Sequence, residues 1–213
     1  MSKMIQMWDD RYSSSRYAYG TNPNEFFKNT LTEYALNGSI LFPAEGEGRN
    51  AVFAAKKGFD VTAFDISIEG RNKALQLAQK EHVEIKYEVG NLADLDIANQ
   101  NYHVAAFIFA YFPPDILSNC HKKIADLIID GGIIILEGFS KNHLPLRNAN
   151  PKLGGPNKIE ILFSIESIKN DFPSFEILKL EEVEVVLNEG DFHNGLSKVI
   201  RFIGKKNQEL KHN

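Results

Sequence analysis

Apolar residues along this chain recur with a period near two in some stretches and near four in others, and the two patterns alternate from Ser39 to Leu136. Ser39–Ala44 is a short apolar run ending at a glycine-rich turn, followed by a helix over Arg49–Lys57 with Gly58 placed to cap it. Asp60–Asp65 is a second strand. Ser67 is a suitable N-cap for a helix from Glu69 to Lys80, which is rich in good helix formers. Val83–Val89 is a third strand, and Tyr102–Ala110 a fourth, apolar nearly throughout as a strand covered on both faces must be. Pro113 and Pro114 end it, with Pro114 suited to the first turn of the next helix. There Ile116, Cys120, Ile124 and Ile128 recur every four residues as one buried stripe. Asp130-Gly131-Gly132 is a turn and Ile133–Leu136 a fifth strand. This order predicts a mostly parallel α/β sheet with helices on both faces.

The last third follows another rule. Phe139–Lys158, with three prolines and two adjacent glycines, is a long loop, and Ser164–Asp171 is a short helix capped by Ser164. Phe175–Leu187 sets Val183, Val185 and Leu187 against Glu182 and Glu184 on the opposite face. A turn-rich stretch, Asn188–Asn194, leads into the apolar run Leu196–Ile203. Strands joined so closely are antiparallel, because a parallel crossover needs a dozen or more residues. The sheet is therefore expected to run parallel for five strands and close with a hairpin.

Composition narrows the picture only slightly. The 213 residues suit one domain, expected to span 1–213. A net charge of −4 argues against a wholesale nucleic-acid or anionic-membrane partner, either of which would need a basic face, while leaving room for a local basic patch. The single cysteine, Cys120, excludes a disulfide framework and fits a reducing compartment. Met1–Tyr19 has no apolar signal-peptide core, and no apolar window approaches the roughly 20 residues of a membrane span. The expected location is cytoplasmic, with neither membrane nor nucleic acid as partner, and the expected state a monomer or weak homo-oligomer.

The chemistry gathers at Glu45-Gly46-Glu47-Gly48, between the first strand and its helix, where glycines allow a sharp turn and close approach of a ligand. Asp65 ends the second strand, where doubly wound folds use a carboxylate to hold both ribose hydroxyls of an adenosine ligand. Two glutamates beside the turn would repel a pyrophosphate by about 1 kcal/mol or more each, yet favour the ammonium and sulfonium of S-adenosylmethionine. Ala44 and Ile66 flank these positions. Asn91 and Leu92, after the third strand, suit the adenine amino group and ring face, while Ala110 ends the fourth strand on the crevice side. A Gly-Lys-Ser/Thr phosphate loop is absent from the sequence.

In this order and at these spacings, several motifs resemble the class I S-adenosylmethionine-dependent methyltransferases of the tellurite-resistance and thiopurine-methyltransferase-like branch. They are Trp8-Asp9-Asp10-Arg11-Tyr12, Tyr19-Gly20-Thr21-Asn22-Pro23-Asn24, Gly46-Glu47-Gly48-Arg49-Asn50, Ala63-Phe64-Asp65, Phe112-Pro113-Pro114, Gly131-Gly132, Leu136-Glu137 and Leu153-Gly154-Gly155-Pro156. The resemblance runs from about Trp8 to Ile203. It implies a seven-stranded Rossmann-like sheet ending in an antiparallel hairpin. It also implies that residues 1–37 form a lid, with Trp8 and Tyr12 contacting the cofactor and Tyr19 facing the methyl group. The chain departs from that pattern at Phe42 and Ala44, where an acidic residue and a glycine are usual, and at His103, where an aspartate is common. Which carboxylate holds the methionine ammonium therefore stays open.

Methyl transfer asks mainly for proximity, alignment and exclusion of water, and a thiol, soft anion or similar nucleophile needs no base. The six histidines, His82, His103, His121, His143, His193 and His212, are scattered, with neither metal-ligand spacing nor a base dyad evident in the sequence. Aromatic residues stand before Pro113-Pro114 in place of the Asn or Asp of amino-group methyltransferases, which favours a small-molecule acceptor. Tyr111, with His143 and Arg147 from the 139–158 loop, is a candidate to line the acceptor pocket, and an arginine there suits an anionic acceptor. The expected activity is thus S-adenosylmethionine-dependent methylation of a small molecule. The alternatives are a nicotinamide-dependent oxidoreductase and a non-catalytic cofactor-binding protein.

Overall fold

The computed structural model describes residues 2–95, 97 and 100–208, so His212 lies outside the described residues. Seven strands form one sheet: β1 (Ser39–Pro43), β2 (Asp60–Asp65), β3 (Lys86–Val89), β4 (Tyr102–Ile108), β5 (Ile128–Phe139), β6 (Phe175–Glu189) and β7 (His193–Lys206). Their spatial order is β3-β2-β1-β4-β5-β7-β6. The first five are parallel, and β7 runs antiparallel to both β5 and β6. The sequence-based expectation of five parallel strands closed by a hairpin holds in full.

Helices cover both faces, and the strand alternation decides which side chain meets which helix. On one face Ile40, Phe42, Val61, Ala63, Val104 and Ala106 pack against α2 (Glu25–Glu33), α3 (Arg49–Lys56) and α4 (Ile68–Lys80). On the other, Leu41, Phe64, Ala105, Phe107 and Leu136 meet α5 (Leu117–Asp126) and α7 (Ile165–Asp171). The remaining helices, α1 (Lys3–Tyr12) and α6 (Leu144–Ala149), lie over the C-terminal edge of the sheet. Among the described residues no helix is long and apolar enough to cross a membrane.

Local details depart from the sequence pattern where tertiary contacts overrule it. Only Cys120 and Ile124 of the expected four-residue stripe are buried on α5; Ile116 is its half-exposed N-cap, and Ile128 already belongs to β5. Pro114 lies in the turn ahead of α5 rather than in its first turn; the Pro113 carbonyl accepts the Ile116 and Leu117 amides. Asp130-Gly131-Gly132 is an irregularity inside β5, where the register with β4 jumps, because flanking Ile128 and Ile133 both pair with β4. The third strand starts at Lys86, not Val83. The 139–158 segment folds into short helical turns and α6. Phe26, Phe27 and Leu31 place α2 in the main core, so the covering part of the N-terminal segment is α1 and its connection rather than all of residues 1–37.

Ser67 caps α4 by accepting the Gly70 amide, and Ser164 caps α7 in a reciprocal capping box with Ser167. Gly48 begins α3 with φ +85°, and a Cβ there would lie 2.5 Å from the Ala74 Cβ of α4. Its missing side chain is what lets α3 and α4 pack together beside the turn. Gly48→Ala is expected to lower stability by about 1–3 kcal/mol through backbone strain and overpacking, read as a lower denaturation midpoint at unchanged m-value.

Candidate cofactor and acceptor site

β1 and β4 are neighbours whose chains then proceed to opposite sides of the sheet, which opens a crevice at their C-terminal ends. Both strands end with a non-glycine residue in the left-handed region, Ala44 at φ 50° and Phe109 at φ 51°. Such backbone costs about 1–3 kcal/mol each and persists where neighbours enforce it; here the Phe109 amide is held by the Glu137 carbonyl at 2.7 Å. Both residues line a cavity of about 360 Å³, within the range of small-molecule sites.

The β1–β3 end of this cavity carries most of the residues expected at the cofactor. Asp65, Ile66, Asn91 and Leu92 all line it, as do Ala44, Glu45 and Ala110. Asp65 Oδ2 accepts the Gly46 amide and Oδ1 accepts the Ser67 amide, both at 2.9 Å, so one carboxylate fixes the turn and the start of the next connection. Burial raises its pKa to about 6 against these hydrogen bonds. Asn91 donates to Asp94 through its amide nitrogen, which leaves its carbonyl oxygen to accept.

The two glutamates of the turn part company. Glu45 Oε1 accepts the Asn50 and Ala51 amides at 2.9 and 2.8 Å, so it caps α3 while lining the cavity. Its burial pushes the pKa up to about 7, despite the two amides and Arg49. Glu47 points the other way: it pairs with Lys73 at 2.5 Å and accepts the Ala18 amide at 2.7 Å. Lys73 in turn donates to the Ser14 and Arg16 carbonyls. Glu47 therefore ties down the N-terminal connection and does not line the cavity, contrary to its expected part in holding the cofactor. Gly46 and Gly48 are likewise outside the lining and act through the backbone path.

The N-terminal helix closes the cavity from above. Tyr12 is buried, and its hydroxyl lies 2.6 Å from where a Cβ on Gly46 would be, so this glycine is required by the covering ring. Trp8 stacks on Tyr12 with ring centres 5.6 Å apart and meets the edge of Tyr111 at 5.9 Å. Asp9 accepts the Ser67 hydroxyl at 2.5 Å, which docks α1 on the cap of α4. All three aromatic rings line the cavity.

The β4–β5 end differs in character. Phe109, Phe139, Tyr19 and His193 surround it, with Arg11, Arg147 and Lys158 supplying positive charge. Arg11 donates to the Tyr19 hydroxyl at 2.9 Å. Arg147 has a buried Nε without a partner among the described residues. His143 is the exception among the expected acceptor residues. It is wholly buried and does not line the cavity; its Nε2 lies 3.2 Å from the Gly154 carbonyl, and its Nδ1 accepts the Lys198 amide. It is a staple of the 139–158 segment because stacking on Phe139 turns its ring inward. His103 sits at the other end of β4, bonded to Ser39.

Beneath this end lies a polar hub that pattern reading missed. Glu189, at the end of β6, accepts from Arg49 (2.9 Å), Asn24 (3.0 Å) and His193 (3.0 Å). Asn24 also donates to Glu137 at 2.7 Å, and Glu137 accepts from Arg201 at 2.6 Å. The one available signal was the hairpin itself: a tight turn across Asn188–Asn194 places Glu189 and His193 opposite each other, as the register shows.

Residues 40–132 match the methyltransferase-domain family, covering the sheet from β1 into β5. No curated protein sequence matches the chain. Among solved structures, it is similar to a protein from work on conversion of a disulfide bond into a thioacetal group during echinomycin biosynthesis, at 14% identity and TM-score 0.76 over 98% of this chain and 94% of that one. It is also similar to the N-methyltransferase NodS of Bradyrhizobium japonicum WM9, solved in complex with S-adenosyl-L-homocysteine (10% identity, TM-score 0.69, 97% and 100% covered). TehB of Haemophilus influenzae shares 14% identity and TM-score 0.66 over 95% of this chain, which spans 66% of that one. At these identities the likeness is one of fold. Residues 40–132 are thus similar to a methyltransferase domain, set within a fold that the whole chain shares with these solved structures.

Proposed function

We propose that the protein transfers the methyl group of S-adenosylmethionine to a small, anionic acceptor bound at the β4–β5 end of the cavity. The observation that carries this reading is the cavity's lining: the buried carboxylates Glu45 and Asp65, with Arg49 beside them paired to Glu189, and in addition the cations Arg11, Arg147 and Lys158. A cationic, ribose-bearing cofactor suits the carboxylates, and an acceptor carboxylate or other oxyanion suits the cations. A pyrophosphate would sit against Glu45, which disfavours a nicotinamide dinucleotide. The N-terminal motifs, the covering position of Trp8 and Tyr12, and the hairpin ending support membership of the tellurite-resistance and thiopurine-methyltransferase-like branch.

In this reading Glu45 holds the methionine ammonium, since it alone of the two turn glutamates lines the cavity. Asp65 accepts the ribose hydroxyls through lone pairs its amide contacts leave over. Asn91 and Leu92 take the adenine, and the Trp8–Tyr12 pair covers the cofactor as a lid. Bound there, the cofactor supplies an electrophilic methyl group on sulfur. The protein's own contribution is alignment of the two ligands and exclusion of water by α1 and the 139–158 segment. Arg147, with its unpaired Nε, holds the acceptor's negative charge.

Titration calorimetry tests the assignment. Asp65→Ala is expected to weaken S-adenosylmethionine binding by about 1.5–3 kcal/mol, the range for charge-assisted hydrogen bonds. Glu45→Gln, which can still cap α3, is expected to weaken it about tenfold, whereas Glu47→Gln should lower thermal stability and leave affinity within about twofold. Binding of NAD(H) in place of S-adenosylmethionine would overturn the reading.

The raised carboxylate of Glu45 adds a pH dependence. The ammonium binds the ionised form, so below a pKa of about 7 binding must release a proton. Affinity is expected to fall as pH drops from 7.5 to 5.5, by up to about tenfold per unit, with net proton release detectable by calorimetry in buffers of different ionisation enthalpy. Glu45→Gln should reduce that slope to the part contributed by Asp65, whose pKa of about 6 lies in the same window.

A further inference from the structure

We infer that His193, oriented by Glu189, is the general base of this site, and that the acceptor is a small aromatic acid methylated on a hydroxyl that must first lose its proton. The inference rests on the methyltransferase reading above and goes beyond it in naming the base and the acceptor's nucleophile.

The geometry of the pair sets the tautomer. Glu189 Oε2 lies 3.0 Å from His193 Nδ1 and also accepts from Arg49, while Oε1 accepts from Asn24. A carboxylate so supplied with donors is ionised, so the imidazole nitrogen facing it carries a proton. The lone pair is then on Nε2, on a ring that lines the cavity. This is the arrangement of a base held in one tautomer by a third group.

Its surroundings keep the ring neutral and ready to accept. Burial lowers the His193 pKa first; Glu189 opposes this, and the charges of Arg49 and Arg11 add to the lowering. Glu189 itself is held at about 2: burial acts to raise it, and the hydrogen bond from His193, the Arg49 charge and the Arg49 hydrogen bond outweigh it. The other groups against the ring are Tyr19 from the N-terminal connection and the apolar Phe109 and Phe139 after β4 and in β5. Once protonated, the imidazolium would be stabilised by Glu189, which limits the cost of the transfer.

The same neighbours define the acceptor. Rings of Tyr19, Phe109 and Phe139 lie 4.5, 4.5 and 5.1 Å from the His193 ring centre, a wall suited to a planar aromatic body. Arg147 suits its carboxylate. In the step, the acceptor oxygen gives its proton to His193 Nε2 and forms a bond to the methyl carbon. The carbon–sulfur bond breaks with its electron pair left on sulfur, which becomes neutral, and His193 later releases the proton to solvent. A thiolate acceptor would gain little from this dyad, because it is already deprotonated.

The test uses the full chain with S-adenosylmethionine, the three hydroxybenzoate isomers as probes and the three mercaptobenzoates as their deprotonated-nucleophile controls. The wild type is expected to methylate at least one of each set. His193→Gln should lose about a hundredfold or more in kcat on the hydroxybenzoate and stay within about threefold on the matching mercaptobenzoate. Nitrogen-15 NMR of labelled histidine, with S-adenosylhomocysteine bound, should show His193 neutral with its proton on Nδ1 at pH 7.5. Glu189→Gln should shift that signature and the acid limb of the hydroxybenzoate rate profile. Equal losses on both probe sets, no transfer to any hydroxybenzoate by the wild type, or a proton on Nε2 would overturn the inference. No binding of S-adenosylmethionine, or no transfer to either probe set, would instead strike the methyltransferase reading itself.

Discussion

The buried carboxylate of Glu189 is the contact on which the upper half of the molecule depends. It collects Arg49 from α3, Asn24 from the cap of α2 and His193 from across the hairpin. Through Asn24 it reaches Glu137 in β5 and then Arg201 in β7. Five elements distant in sequence thus meet around two carboxylates and two guanidinium groups. Removing one partner would leave another charge buried without compensation, a loss of about 3–5 kcal/mol. The hairpin is therefore fixed to the glycine turn by charge, at the edge of the cavity where packing alone gives way to open space.

That network also explains the division of labour along the cavity. Arg49, one residue beyond the glycine turn, faces Glu189 and leaves Glu45 as the turn carboxylate that lines the cavity. Glu47 pairs with Lys73 and anchors residues 14–18, so the cover is held down from below. The ends of β1 and β4 carry strained left-handed residues between these two anchor points. The site gains alignment at the expense of local backbone comfort, as functional crevices commonly do.

Long elements with a regular apolar period were legible before any coordinate was known. β1, β2, α3, α4 and the β6–β7 hairpin follow the expected spans within a few residues. Boundaries governed by contacts made elsewhere were not: β5 begins at Ile128, five residues before its apolar run, because Ile128 pairs with Tyr102 of β4. Within the site, twelve of the sixteen expected residues line the cavity, and Gly46, Glu47, Gly48 and His143 do not. A glycine's service to a turn lies in its backbone, so it need not line what it shapes.

What the sequence determined by itself was the topology and the glycine turn after β1, since both follow from local rules: strand and helix periodicity, short antiparallel connections, and glycines next to a carboxylate at a strand end. Only the tertiary structure decided where each charged group points. Glu45 and Glu47 are two residues apart with the same chemistry, yet one faces the cavity and the other faces Lys73. His143 and His193 are both buried, yet one staples a loop and the other lines the cavity beside an ionised glutamate. The reason is physical: a side chain's role is set by the partners that compensate its burial, and those partners are brought together by long-range packing that no local pattern encodes.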